Sequence, residues 1–302
     1  MIAVIVLYAI LAATFIFAKN IVAHANPCFI IGFRMILAGL MLLGYQRLAH
    51  PKSVKIDRAD WSLLFKVSIF HIYLVFVPEF WALQYVSALK ATLIYSTTPF
   101  IAALLSYLLL NERLTLQKVL GIAVGLCGLI PVFIGATNGA EATMEIASIS
   151  LPEMTILFGA TCAAYAWFLV KRLMHKGYHL GVINGYAMLM GGILSFITAG
   201  LLEGFAHPVS NWPYFLLWTA ALIISANVIF YNMYGWLLRS YSMTFLTFAG
   251  FLCPGFGALF EWLFMGGEVT WHHSASLALV MIGLYIFYRS ELKKNFTEPQ
   301  TS

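Results

Sequence analysis

The sequence predicts an all-α membrane protein of ten transmembrane helices, arranged as two inverted five-helix repeats, and three observations carry that prediction. Hydrophobic residues form 62% of the 302-residue chain and charged residues only 10%, with a mean hydropathy of +0.88. A soluble domain typically carries about 25% charged residues, so a water-soluble globule is excluded. Ten apolar runs reach the roughly 17–25 residues that a helix needs to cross a bilayer. The chain also repeats itself: displaced by 155 residues, Trp81 meets Trp236, Ser87 meets Ser242, Thr92 meets Thr247 and Pro99 meets Pro254. Earlier in each copy the displacement is 153, where Gly32, Met35 and Gly39 meet Gly185, Met188 and Gly192. A repeat with an odd number of spans inserts upside down relative to its partner, an arrangement typical of secondary transporters.

The runs lie near 2–18, 28–48, 61–83, 86–110, 117–136, 153–173, 180–202, 213–236, 243–265 and 273–289. The first resembles a signal peptide but lacks a basic leading segment. It also has a counterpart in the sixth run, where Ala166, Phe168 and Arg172 match Ala13, Phe15 and Lys19, so a retained helix is expected. The second run follows Pro27 and carries Arg34; the third and fourth form a hairpin about Gln84-Tyr85. Gly121, Gly125 and Gly128 in the fifth run, like Gly181 and Gly185 in the seventh, suit close helix approach. The eighth run holds Asn227 and Asn232, and a buried asparagine must find partners. The ninth holds Pro254 where the fourth holds Pro99, and each proline removes a backbone donor. The expected organisation is a first repeat at 1–136, an outer linker at 137–152, and a second repeat at 153–302 with a short cytoplasmic tail.

Cations set the orientation. With the N-terminus inside, cytoplasmic segments hold Arg47, Lys52, Lys55, Arg58, Lys66, Arg113, Lys118, Lys171, Arg172, Lys176, Arg239, Arg289, Lys293 and Lys294. The outer side holds only Lys19, which is a strong positive-inside bias. Both termini are therefore expected in the cytoplasm, in a multi-pass protein of the cell inner (plasma) membrane. The net charge of +5 has this topological explanation, and no basic stripe points to nucleic acid.

From Trp81 to Phe133 the chain resembles the EamA domain of the drug/metabolite transporter superfamily. The features that carry the resemblance are Ala82-Leu83-x-Tyr85-x-Ser87-Ala88, Pro99 within the fourth run, the turn Asn111-Glu112-Arg113-Leu114-Thr115, and the glycines of the next run. The second half matches more loosely through Tyr241-Ser242, Thr247, Pro254, Glu268-Val269-Thr270 and Gly283, with one more residue between proline and glutamate. Pro27, Arg34 and Ala38 are similar to the family's second helix, whereas Ala187 stands where the second copy would carry that arginine. The resemblance implies two inverted five-helix bundles and a cavity lined by the first, third, fourth, sixth, eighth and ninth helices. It implies transport without ATP, and the chain has no GxxxxGK[ST] phosphate loop.

Charges inside spans are costly and so need a partner or a role. Four stand out: Arg34, Glu79, Lys90 and Glu261, whose formal charges sum to zero. Such a set suits a zwitterionic ligand, with its carboxylate on Arg34 or Lys90 and its positive centre on Glu79 or Glu261. It equally suits a self-paired gate, and Glu79 with Lys90 would make a structural ion pair across the third–fourth hairpin. Aromatic and polar stripes supply further candidates: Thr161, Tyr165 and Phe168 beside Trp167; Asn227, Tyr231 and Tyr234; His71, Val75 and Glu79; Thr92, Tyr95 or Ser96, Pro99 and Ser106. Such stripes also occur as packing, and His71 reads as a hydrogen-bonded core residue more readily than as a proton carrier. The substrate-binding set is thus Arg34, Glu79, Tyr95, Trp167, Asn227, Tyr231 and Glu261, with Pro99 and Pro254 as kink positions for gating.

His272 and His273 with Glu268 make a poor metal set, and Cys28, Cys127, Cys162 and Cys253 read as buried thiols, so neither metal nor cofactor is expected. No nucleophile with a base argues for an enzyme. No ring-like filter argues for a channel. The expected partners are a small-molecule substrate and the lipid bilayer, with the chain a monomer or a weak homodimer. Buried acids beside tyrosine and tryptophan suit a ligand with a planar ring and a positive centre. S-adenosylmethionine, in exchange for S-adenosylhomocysteine, ranks first among the family's cargoes; an amino acid, drug or quaternary-amine exporter comes next, and a non-transporting membrane partner last.

Overall fold

The computed structural model describes residues 2–50, 54–86, 88–110, 115–128, 130, 150–265 and 271–297. Among them the chain is helical throughout, and the single β-bridge joins Ala25 to Val209. The helices are α1 Ile2–Val22, α2 Pro27–Ala49, α3 Arg58–Ala82, α4 Ala88–Tyr95, α5 Thr98–Leu110, α6 Leu116–Cys127, α7 Leu151–His175, α8 Leu180–Glu203, α9 Trp212–Leu237, α10 Met243–Ala249, α11 Leu252–Met265 and α12 Trp271–Thr297. Seven helical stretches among the described residues are long and apolar enough to cross a membrane: α1, α2, α3, α7, α8, α9 and the stretch Met243–Phe260. Shorter apolar helices accompany them. The chain is an integral membrane protein, as its composition predicts.

Helix ends obey local chemistry. α2 opens on Pro27, whose missing N–H would be an orphan there in any case. The Glu203 carboxylate accepts from the next two amides, Cys28 at 2.9 Å and Phe29 at 3.2 Å. Asn211 and Ser242 cap α9 and α10 through Tyr214 and Phe245. α7 ends on Gly177 at φ +89, a left-handed position that suits glycine. Lys19, the one cation expected outside, donates to the Leu83 and Val86 carbonyls at 2.6 and 3.0 Å, just past the end of α3. Near the opposite end of α3, Lys176 and Tyr178 both bond the Asp60 carboxylate.

The prolines of the fourth and ninth runs do not sit at smooth mid-helix bends. The helix is interrupted at residues 96–97 and again at 250–251, and Pro99 and Pro254 stand in the first turn of the helix that resumes. In that turn the lost N–H is cheapest. The carbonyls left over find other donors: Tyr95 accepts from the Thr98 hydroxyl, and Gly250 from the Cys253 amide at 2.9 Å.

The chain divides into two compact units that cut across its halves. One comprises residues 1–13, 92–150 and 240–302, the other 14–91 and 151–239. In the second unit α2 packs along α8 through small residues. A Cβ at Gly39 would lie 2.7 Å from the Leu189 nitrogen, and one at Gly192 would lie 2.9 Å from the Ile36 nitrogen. Leu189 is Ile36 displaced by 153, and Gly192 is Gly39 displaced by 153, so the two contacts are reciprocal. In the first unit α6 packs along α12 in the same manner. A Cβ at Gly128 would lie 2.9 Å from the Val280 nitrogen, and one at Gly283 would lie 2.7 Å from the Gly125 nitrogen. Both pairs there are related by the displacement of 155. The first unit is tied further by the Tyr8 hydroxyl on the Leu246 carbonyl and by Ser106 against Thr244 at 3.3 Å.

Candidate functional site

The charged end of the site begins on α2. Arg34 is 1% exposed, an unusual position for a cation in an apolar helix. Its guanidinium carbon lies 4.8 Å from the centroid of Phe76 and 4.9 Å from that of Phe80, two rings one turn apart on α3. These faces offset part of the desolvation of the cation. Nε and Nη2 have no hydrogen-bond partner among the described residues. Glu79, buried between the two phenylalanines in sequence, acts on Arg34 electrostatically. The result is a dry cation with N–H groups to spare and an acid close by.

The aromatic end is built from α3, α7 and α9. Trp167 lies flat on Tyr234, with centroids 4.2 Å apart and an interplanar angle of 27°. His71 stands nearly perpendicular to Trp167 at 4.5 Å and meets Tyr231 at 4.8 Å. The Tyr231 hydroxyl donates to the His71 carbonyl at 3.3 Å, and its ring lies 6.4 Å from Phe76. Tyr231 thereby links the aromatic group to the arginine. Asn227, one turn before Tyr231, donates through its amide to the Met35 and Met188 sulfurs at 3.0 and 3.7 Å, while its Oδ1 has no partner among the described residues. Met35 and Met188 are themselves related by the displacement of 153.

Two π-helical stretches position these groups. Ser68–Tyr73 carries His71, and Ile223–Phe230 carries Asn227 and leads into Tyr231. They begin 155 residues apart, at matching points of the repeat. Wide i→i+5 turns occur often at functional sites. They also shift the register of every residue beyond them on the helix, so a spacing of 3.6 residues does not predict which side chains meet. Pro78 withdraws a further donor from α3, and Gly159 of α7 approaches there, its added Cβ lying 3.0 Å from the Val75 carbonyl oxygen.

Of the residues singled out from sequence, Arg34, Glu79, Trp167, Asn227 and Tyr231 all belong to this one unit. Tyr95, half-buried at the end of α4, belongs to the other unit, as do Pro99, Pro254 and Glu261. The side chains of Glu261 and Lys90 lie outside the described residues, and the Glu79–Lys90 pair with them. Glu268 and the His272 and His273 side chains do so as well. Sequence reasoning passed over Phe76 and Phe80, whose i, i+4 spacing is visible in the chain but whose place beside Arg34 is not. It also treated His71 as core and Tyr234 only as part of a stripe.

An all-helical membrane protein with a buried arginine, an acid and an aromatic group inside one compact unit has the make-up of a carrier for a small polar molecule. The profile of the EamA-like transporter family matches residues 1–134 and 151–289, and the chain belongs to that family. It is 32% identical over 288 residues to an S-adenosylmethionine/S-adenosylhomocysteine transporter of Chlamydia muridarum, covering 94% of this chain and 90% of that protein. The transporter of the same name from Chlamydia trachomatis serovar L2 is 33% identical over 291 residues, covering 94% and 88%. A solved crystal structure shares the fold at a TM-score of 0.72, with 18% identity and 95% coverage of both chains.

Proposed function

We propose that the protein is a secondary transporter that carries S-adenosylmethionine across the membrane by alternating access, in exchange for S-adenosylhomocysteine. The observation that carries this reading is the likeness to transporters of that name over 94% of the chain. The site's chemistry supports it independently. The substrate has an amino-acid head, a sulfonium and an adenine. Arg34, with two spare N–H groups, suits the carboxylate. Glu79 suits the positive centre, and Trp167 with Tyr231 offers aromatic faces to the base. Asn227 has its carbonyl oxygen to contribute.

The proposed architecture has ten spans in two inverted repeats, with both termini in the cytoplasm of a cell whose inner membrane holds the protein. The reciprocal glycine contacts of α2 with α8 and of α6 with α12 support the inversion: Gly39 meets Leu189 while Ile36 meets Gly192, and Gly128 meets Val280 while Gly125 meets Gly283, so the equivalent helices of each pair run antiparallel. The helix interruptions before Pro99 and Pro254 support a role in gating: backbone that is already broken bends at little cost. The protein acts without cofactor or metal in this reading, and as a monomer or a weak homodimer.

Counterflow in proteoliposomes tests the proposal. Vesicles loaded with unlabelled S-adenosylhomocysteine should accumulate labelled S-adenosylmethionine without ATP or an ion gradient. Exchange of phenylalanine, tryptophan or a quaternary amine, with neither adenosyl compound moved, would keep the carrier and discard this substrate.

A further inference from the structure

We propose that His71 is a specificity-determining residue of this site, recognising the base of the substrate by a hydrogen bond from its imidazole to a ring nitrogen. The inference rests on the substrate reading above. Its starting point is an uncompensated polarity. His71 is 1% exposed, and neither ring nitrogen has a hydrogen-bond partner among the described residues. A neutral imidazole carries one donor and one acceptor, and burying both unsatisfied is unfavourable. A phenylalanine would fill the same space against Trp167 and Tyr231 without that penalty. Packing therefore explains an aromatic ring at this position but not a histidine.

The surroundings say what kind of group would satisfy it. The imidazole stands at 84° to the Trp167 ring, 4.5 Å from its centroid, and also meets the Tyr231 ring at 4.8 Å. The imidazole is packed among buried rings, so a group that satisfies it must enter edge-on between them, and a flat heterocycle offers its rim in that way. Adenine presents acceptor nitrogens on that rim. The backbone that carries the ring is held in place, because the Tyr231 hydroxyl bonds the His71 carbonyl within the π-helical stretch Ser68–Tyr73. The charged end of the site lies toward Phe76 and Arg34, which leaves the His71 end for the part of the ligand without charge.

The experiment uses the purified full-length protein and calorimetric titration with S-adenosylhomocysteine and its 1-deaza, 3-deaza and 7-deaza analogues. Wild type should bind the parent and lose about tenfold with one analogue, the size expected for a lost hydrogen bond in a buried site. His71→Phe should bind the parent about tenfold more weakly and no longer distinguish that analogue. His71→Gln, which keeps a donor, should recover part of both affinity and discrimination. The unliganded thermal midpoint of His71→Phe should not fall, since the change removes only unsatisfied polar atoms. If His71→Phe proves unstable, the discrimination retained or lost by His71→Gln decides. A His71→Phe protein with wild-type affinity and wild-type discrimination overturns the assignment, as does a wild type indifferent to all three analogues. A wild type that binds none of the four compounds overturns the substrate reading, and His71 falls with it.

Discussion

Gly39 and Gly192 occupy equivalent positions on α2 and α8, and each faces the backbone of the other helix at a matching point, Gly39 at Leu189 and Gly192 at Ile36. An added Cβ would approach within 2.7 and 2.9 Å of a backbone nitrogen, and backbone cannot turn aside as a side chain can. Gly39→Ala and Gly192→Ala should therefore each lower stability by about 1–3 kcal/mol. Gly44 lies on the same helix with nothing within 4 Å of its added Cβ, so Gly44→Ala should be neutral or slightly stabilising. Thermal unfolding of the three variants in one detergent decides the matter. Equal loss at Gly44 would remove close packing as the cause.

Arg34 and Glu79 should behave as a coupled pair. Arg34→Gln removes a cation on which Glu79 acts, and Glu79→Gln removes that acid, so each single change should lower stability by about 0.5–3 kcal/mol. The double variant should lose less than the sum of the two. A double-mutant cycle in unfolding free energy measures the difference, and additive losses would mean that the charges act independently. Arg34→Lys keeps the charge but not the planar fork between Phe76 and Phe80, so substrate binding should weaken even where folding is normal.

Trp167 provides a face rather than a polar group. Its removal in Trp167→Ala should weaken binding of S-adenosylhomocysteine by about 1–3 kcal/mol, the range for a base stacked on an aromatic ring. Trp167→Phe should retain most of the affinity. Titration of both variants checks this, and an equal loss in the two would point to the indole N–H instead.

The proposed topology has an accessible test in the 137–152 segment. With Cys28, Cys127, Cys162 and Cys253 replaced, a cysteine introduced by Ala142→Cys should react with an impermeant thiol reagent in intact cells. Cys127 is the native thiol that must go first, because it is the exposed one of the four. A reporter active only in the cytoplasm should work when fused after Ser302. Protection of the Ala142→Cys thiol together with an inactive reporter would invert the orientation.

Membrane class, helical content and the family were legible in the sequence because each depends on sums over neighbouring residues. Hydropathy needs only a window, the repeat needs only a comparison of the chain with itself, and a motif such as Ala82-Leu83-x-Tyr85-x-Ser87-Ala88 is contiguous. Arg34 and Glu79 could be picked out because an intramembrane charge is conspicuous wherever it points. Their neighbours could not. The π-helical stretch Ser68–Tyr73 changes the facing of every later residue on α3, so regular spacing aligned His71 with Glu79 and overlooked the rings of Phe76 and Phe80 beside Arg34. The prolines were visible, but not the helix breaks ahead of them, because whether a helix bends or stops depends on which donors reach the freed carbonyls. Nor does the linear order of helices reveal that the compact units take helices from both halves of the chain. That pairing comes from which glycine-lined surfaces fit together, a property of shapes brought into contact across more than a hundred residues of chain, and only the tertiary structure decided it.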